Sequence, residues 1–215
     1  MHDRRAAIGL ALAGASALAL SACSNIIGPP DAPDIYMLRP AFTPATPPSK
    51  APWTLAVQRP AAPDALDGNR IAILKADGTI DYYAKAQYQD TLESLVETAI
   101  VDGFAKSGAV TGVARASESL QSDYQLLVDI TDFQARYAVP DGVPDAMVTL
   151  SVKLVTTRGR HIAGTLVAAK SVPASQNSIP AATQALQQAL TASITAVVGW
   201  AAAFPAPPPP SDGTR

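Results

Sequence analysis

Three segments in the second half of the chain alternate apolar and polar residues, and this alternation constrains the fold more than any other feature. Tyr124, Leu126, Val128 and Ile130 alternate with Gln125, Leu127, Asp129 and Thr131. Ala146, Val148, Leu150, Val152 and Leu154 alternate with Met147, Thr149, Ser151 and Lys153, and Ile162 to Ser171 forms a third run. A period of two puts one set of side chains on one sheet face. The stretches Val139–Pro144 and Arg158-Gly159-Arg160 supply turns, so the three runs predict an antiparallel meander. Such a sheet has one apolar face that another layer must cover.

Two helical patterns supply that layer. Tyr88, Leu92, Leu95, Val96, Ala99, Ile100 and Phe104 lie at helical spacing and predict a helix from about Lys85 to Lys106, stopped at Ser107-Gly108. Leu186, Leu190, Ile194, Val197 and Val198 stripe a second helix that opens at Ser178 and Pro180 and fades after Trp200. Ahead of the first helix, Trp53–Val57, Arg70–Leu74 and Ile80–Tyr83 read as strands, the last two joined by an Asp77-Gly78 turn. Val110–Val113 reads as a short strand. The expected class is α+β: a largely antiparallel sheet with two amphipathic helices packed on one face.

The ends of the chain read differently. Arg4 and Arg5 precede an apolar run from Ile8 to Leu20, which is the layout of a secretory signal. That run is shorter than the roughly 20 residues a membrane-spanning helix needs. It ends Leu20-Ser21-Ala22-Cys23, the lipobox pattern, in which small residues admit a peptidase and the thiol is the nucleophile for lipid transfer. Cys23 is the only cysteine, so no intramolecular disulfide competes for it. The expectation is a signal over residues 1–22, lipidation of Cys23 and a periplasmic, membrane-anchored chain. Ser24 favours the outer over the inner membrane. Residues 28–52 hold eight prolines, which favours an extended linker over 23–52. Within it Ile35-Tyr36-Met37-Leu38 reads either as an edge strand or as an incidental apolar patch. The folded domain is expected over 53–203, with a Pro-rich disordered tail over 204–215.

The formal charge of −2 falls to about −3 once Asp3, Arg4 and Arg5 are removed, and no basic run suggests nucleic-acid binding. The mature chain has one histidine, His161, beside a turn. No zinc-type cluster, nucleophile elbow or phosphate loop is present in the sequence, so no cofactor or metal is expected. Asp123, Asp129 and Asp132 are close in sequence, and solvated strand charge is the favoured reading over a paired-carboxylate site. Tyr82 and Tyr83 are more suggestive. Neighbours on a strand face opposite ways, so they cannot both enter one core, and aromatic residues with a polar tip are enriched at interfaces. Tyr88 is expected to be core.

In this order the motifs resemble the ABC-type transport auxiliary lipoproteins, partners of mammalian-cell-entry (MCE) and paraquat-inducible lipid transport systems. The lipobox is followed by a Tyr-x-Leu element, Tyr36-Met37-Leu38. Arg70-Ile71-Ala72-Ile73 and Tyr82-Tyr83 follow. Then comes Tyr88-Gln89-Asp90-Thr91-Leu92, where the family often has Trp at the first position, and an Ala-rich closing helix over 181–203. The resemblance implies a non-enzymatic part in moving phospholipid or sterol. The implied partners are an MCE-domain protein, a permease and an ATPase, with a possible homo-oligomer. Tyr36, Leu38, Tyr82 and Tyr83 are the candidate interface residues. The alternative is a stand-alone lipid-binding or outer-membrane assembly lipoprotein; an anchored hydrolase built on His161 and the three aspartates ranks last.

Overall fold

The computed structural model describes residues 32–42 and 50–208. Cys23 and the signal segment therefore lie outside the described residues. The chain divides into two units, Met1–Ala32 and Pro33–Arg215, and the architecture below is that of the second. Its elements are β1 (Asp34–Tyr36), β2 (Ala51–Val57), β3 (Arg70–Leu74), β4 (Ile80–Tyr88), α1 (Leu92–Ser107), β5 (Val110–Arg115), β6 (Tyr124–Arg136), β7 (Asp145–Thr156), β8 (Ile162–Pro173) and α2 (Ile179–Ala202), with one 3₁₀ turn at Ala116–Glu118.

The alternating runs become β6, β7 and β8, and they form the expected meander. β7 pairs antiparallel with β6 from Arg136↔Asp145 to Tyr124↔Thr156, and β8 pairs antiparallel with β7. The other edge of β6 is shared by two strands that lie end to end. β2 pairs parallel with Tyr124–Leu126, and β3 pairs parallel with Gln134–Arg136. β5 extends the sheet beyond β2, and β4 then β1 extend it beyond β3. The long ladders make the sheet mostly antiparallel, but the β1–β4, β2–β5, β2–β6 and β3–β6 pairs are parallel. Hairpin spacing foretells only antiparallel neighbours, which is why the parallel pairs are not visible in the sequence.

A bulge in β6 controls which side chains enter the core. Ile130 pairs with Leu150 and Asp132 with Thr149, leaving Thr131 unmatched. Even-numbered residues Leu126, Val128 and Ile130 are buried before it, and odd-numbered Phe133 and Ala135 after it. One inserted residue thus reverses the parity without moving the core to the other face. Beside the bulge, the Phe133 N–H donates to the Gln134 side-chain oxygen at 2.6 Å, and Gln134 Nε2 donates to Asp132 Oδ1 at 2.9 Å.

Both helices cover the apolar side. α2 packs on β6, β7, β8 and α1, while α1 also packs on β5 and β2. Five of the eight alanines of α2, Ala181, Ala182, Ala185, Ala189 and Ala201, are buried, so its backbone lies close to the sheet. Where the helices cross, a Cβ on Gly103 would fall 2.6 Å from Ile194 Cγ2. A side chain there would force the helices apart. At the far end a Cβ on Gly164 would fall 2.5 Å from the Phe204 ring, which stacks edge-on with Trp200 at 5.1 Å.

Two boundaries differ from the sequence reading, and one reading left open is resolved. Residues 85–88 belong to β4, and α1 starts at Leu92 under a Thr91 cap. Tyr88 is buried as expected, but as the end of a strand. Its N–H donates to Asn69 O at 2.7 Å and it sits level with Tyr36. Its spacing to Leu92 fits a helical stripe equally well, so the pattern alone does not separate the two. Of the Ile35–Leu38 patch inside the proline-rich stretch, Ile35 and Tyr36 belong to the edge strand β1, one of the two readings left open, and Leu38 is buried just beyond it. At the other end, Phe204 and Pro205 are docked rather than loose. Trp53 Nε1 donates to Phe204 O at 2.9 Å, and the Tyr124 hydroxyl donates to Pro205 O at 2.9 Å.

Candidate interaction surface

The amino-terminal segment 33–42 acts as a strap across the domain. β1 adds to β4, and Leu38 then plugs into the core at 6% exposure. The Leu38 N–H donates to Gln89 Oε1 at 3.2 Å, and the Arg39 N–H donates to Gln187 Oε1 at 2.8 Å. Phe42 lies against Gly103. The strap is thus fastened to the β4–α1 junction, to α1 and to α2. Of the predicted interface residues here, Tyr36 is half-buried and Leu38 is committed to the chain's own core. The exposed large apolar side chains of the strap are Ile35 and Met37.

Tyr82 and Tyr83 leave β4 in opposite directions, as adjacent strand residues must. The Tyr82 hydroxyl donates to Ala65 O at 2.9 Å, and the Arg70 guanidinium lies 3.5 Å over its ring. The Tyr83 hydroxyl meets the Tyr137 hydroxyl at 2.8 Å, and Tyr137 donates to Asn177 Oδ1 at 2.9 Å. Tyr137 spends its only proton on Asn177, so Tyr83 is the donor between the tyrosines. Burial, with the Tyr137 hydrogen bond second, holds the Tyr83 hydroxyl well above the usual tyrosine range. Asn177 Nδ2 closes the chain by donating to Asp141 O at 3.0 Å. These bonds tie the β4, β6–β7 and β8–α2 segments together around a cleft of about 460 Å³ lined by Ile73, Lys75, Pro140 and Asn177 among others. Trp53 packs edge-on against Tyr124, with ring centroids 5.0 Å apart.

The three aspartates do not converge. Asp123 Oδ2 accepts from both the backbone N–H and the hydroxyl of Thr54 at 2.9 Å, which clamps β2 to the start of β6. Asp129 pairs with Lys153 at 3.2 Å, and Asp132 accepts from Gln134. His161 is exposed in the β7–β8 turn, where its backbone N–H donates to Thr156 Oγ1. Sequence reasoning missed one titratable group. Glu93 in α1 is buried and its Oε2 has no hydrogen-bond partner. Burial raises its carboxyl above the usual range; a hydrogen bond from its own backbone and the charge of Arg59 oppose the rise, while the Asp67 carboxyl beside it adds to it. Its helical position among polar neighbours gave no signal, because the loop that buries it comes from residues 58–69.

Against known proteins, the crystal structure of XCC0632 from Xanthomonas campestris superposes with a TM-score of 0.73 at 28% identity, covering 78% of this chain and 94% of that one. A crystal structure of an uncharacterized protein shares the fold at 18% identity, with a TM-score of 0.62 over 80% of this chain and 99% of that one. The uncharacterized Bradyrhizobium diazoefficiens protein bll6063 is 29% identical over 114 residues, 53% of this chain but only 30% of that relative's length. The chain belongs to the ABC-type transport auxiliary lipoprotein component family, whose model matches residues 36–198, from the strap to the last full turns of α2. Among the described residues no helix is long and apolar enough to cross a membrane, which leaves strand-built spans unaddressed.

Proposed function

We propose that this chain is the anchored auxiliary component of an ABC-type system that moves phospholipid or sterol, working beside an MCE-domain protein, a permease and an ATPase. The family match over residues 36–198 carries this reading. In it, residues 1–22 are removed, Cys23 is lipidated in the outer membrane, and the domain works in the periplasm without catalysing a reaction. A lipidated cysteine with two or more acyl chains gives the stable attachment that one chain does not. Tyr36, Tyr82 and Tyr83 lie at the β1–β4 edge of the sheet and offer aromatic surface to a partner, with Leu38 holding that edge in place. The ATPase supplies the energy, since the sequence holds no phosphate loop.

The test is capture from crosslinked membranes with the full-length tagged chain. Recovery of an MCE-domain protein and a permease is expected, and Tyr82→Ala with Tyr83→Ala should reduce it. Capture that brings down neither component would remove this reading. Mass spectrometry of the amino-terminal peptide checks the lipid on Cys23 independently.

A further inference from the structure

We propose that the end of the domain formed by the β3–β4 turn and the β6–β7 loop rests on the bilayer that holds Cys23, and that it favours a zwitterionic lipid surface. The inference rests on the Cys23 anchor.

Strand direction is the first observation. Ile35 lies level with Gln87, and Gln87 with Arg70. β1 runs opposite to β3, so it enters the sheet from the side to which β3 leads. That side ends in one row of paired residues, Ile80–Leu74–Arg136–Asp145–Pro173. From the level of Arg70 to that of Leu74 is four residues, about 13 Å at strand rise.

Chain length is the second observation. Only residues 24–33 separate Cys23 from β1. Fully extended they reach about 35 Å. The strap fixes residues 34–42 to the domain, so the roughly 90 Å reach that the whole proline-rich stretch would have as a free linker is not available. A leash this short, entering from this side, keeps the tip within reach of the membrane surface.

The chemistry of the tip is the third observation. Beyond the row, Val139 and Val143 are 60% and 55% exposed on the β6–β7 loop, beside Pro140 and Pro144; within it, Ile80 is 45% exposed. Lys75 pairs with Asp81 and Arg136 with Asp145, so each of these cations is balanced by a carboxylate. Asp77 and Asp141 add negative charge, which opposes an anionic surface. The opposite end also exposes apolar groups, Leu120 and Ile162, and carries Arg158 and Arg160. Exposure alone does not choose between the ends; the direction from which the chain enters the sheet does.

The experiment uses the lipidated full-length chain in vesicles of phosphatidylethanolamine and phosphatidylcholine. Cys23 is the only native cysteine and its sulfur is blocked by the lipid it carries as a thioether, so Val139→Cys, Val143→Cys, Leu120→Cys and Ile162→Cys each offer one thiol for an environment-sensitive fluorophore. Nitroxide lipid should quench the labels at 139 and 143 several-fold more than those at 120 and 162, and added phosphatidylglycerol should weaken that quenching. Equal quenching at both ends, stronger quenching at 120 and 162, or a gain with phosphatidylglycerol overturns the proposal while leaving the anchor standing. A Cys23→Ser chain that stays with the vesicles as fully as the native chain overturns the anchor, and this orientation with it.

Discussion

The two edges of β6 are built in different ways. Along one edge β7 pairs over the full strand and arrives by a short loop, so its contacts are local in sequence. Along the other edge β2 and β3 share the strand, both parallel, and both come from 50 or more residues upstream. The hairpin edge is secured by one continuous ladder, with the exposed Asp129–Lys153 and Arg136–Asp145 pairs across it. The parallel edge needs extra fastening, and it has it: the Asp123–Thr54 clamp, the Gln58 and Ala61 backbone bonds to Leu126 and Val128, and α1 above. Long-range parallel pairing closes larger loops, and its entropic cost is met by such side-chain ties.

This contrast can be broken or sharpened by measurement. The largest effect belongs to the shared core: Leu150→Ala on β7, fully buried, should cost about 2–5 kcal/mol in urea unfolding. A loss below 1 kcal/mol would show that the meander does not anchor the domain. Next, Gly103→Val should wedge α1 from α2 and cost about 1–3 kcal/mol by overpacking. If Gly103→Val matches the native chain, the helix crossing is looser than its 2.6 Å clearance implies.

Asp123→Ala should cost about 1–2 kcal/mol, by loss of two hydrogen bonds at a partly exposed site. Its signature is regional. Amide exchange should quicken in β2 while the β6–β7 ladder stays protected, and uniform quickening would erase the distinction between the edges.

The smallest effect concerns Glu93, under the loop that joins β2 to β3. Its folded pKa is raised, so the folded state holds a proton that the unfolded chain releases. That contribution is complete below the ordinary glutamate pKa and is lost as pH climbs through the raised value. Glu93→Gln should therefore raise Tm slightly at neutral pH and flatten the acid-side dependence. An unchanged pH profile would show that Asp67 and burial do not act on this carboxyl.

Much of this was legible beforehand. Alternation in residues 124–171 located β6, β7 and β8, the 92–104 and 186–198 stripes located the helices, and Asp77-Gly78 marked the β3–β4 turn. The tyrosine pair was singled out because two neighbours on a strand cannot both enter one core. Other features were out of reach. Nothing near Tyr83 foretold Tyr137 as its partner, or Asn177 as the partner of Tyr137, since they come from two other loops. Leu38 read as available surface because its pocket is made by residues far along the chain.

The sequence by itself determined the class of fold, the number and faces of the helices and the meander, because periodicity is local and each period fits one kind of element. Tertiary structure alone decided the parallel pairs on the far edge of β6, the parity change at Thr131, the docking of Phe204 and Pro205, and the fixing of residues 33–42 as a strap. Those features depend on which distant backbone groups and cavities meet, and hydrogen bonding and burial are settled only once the chain has closed on itself.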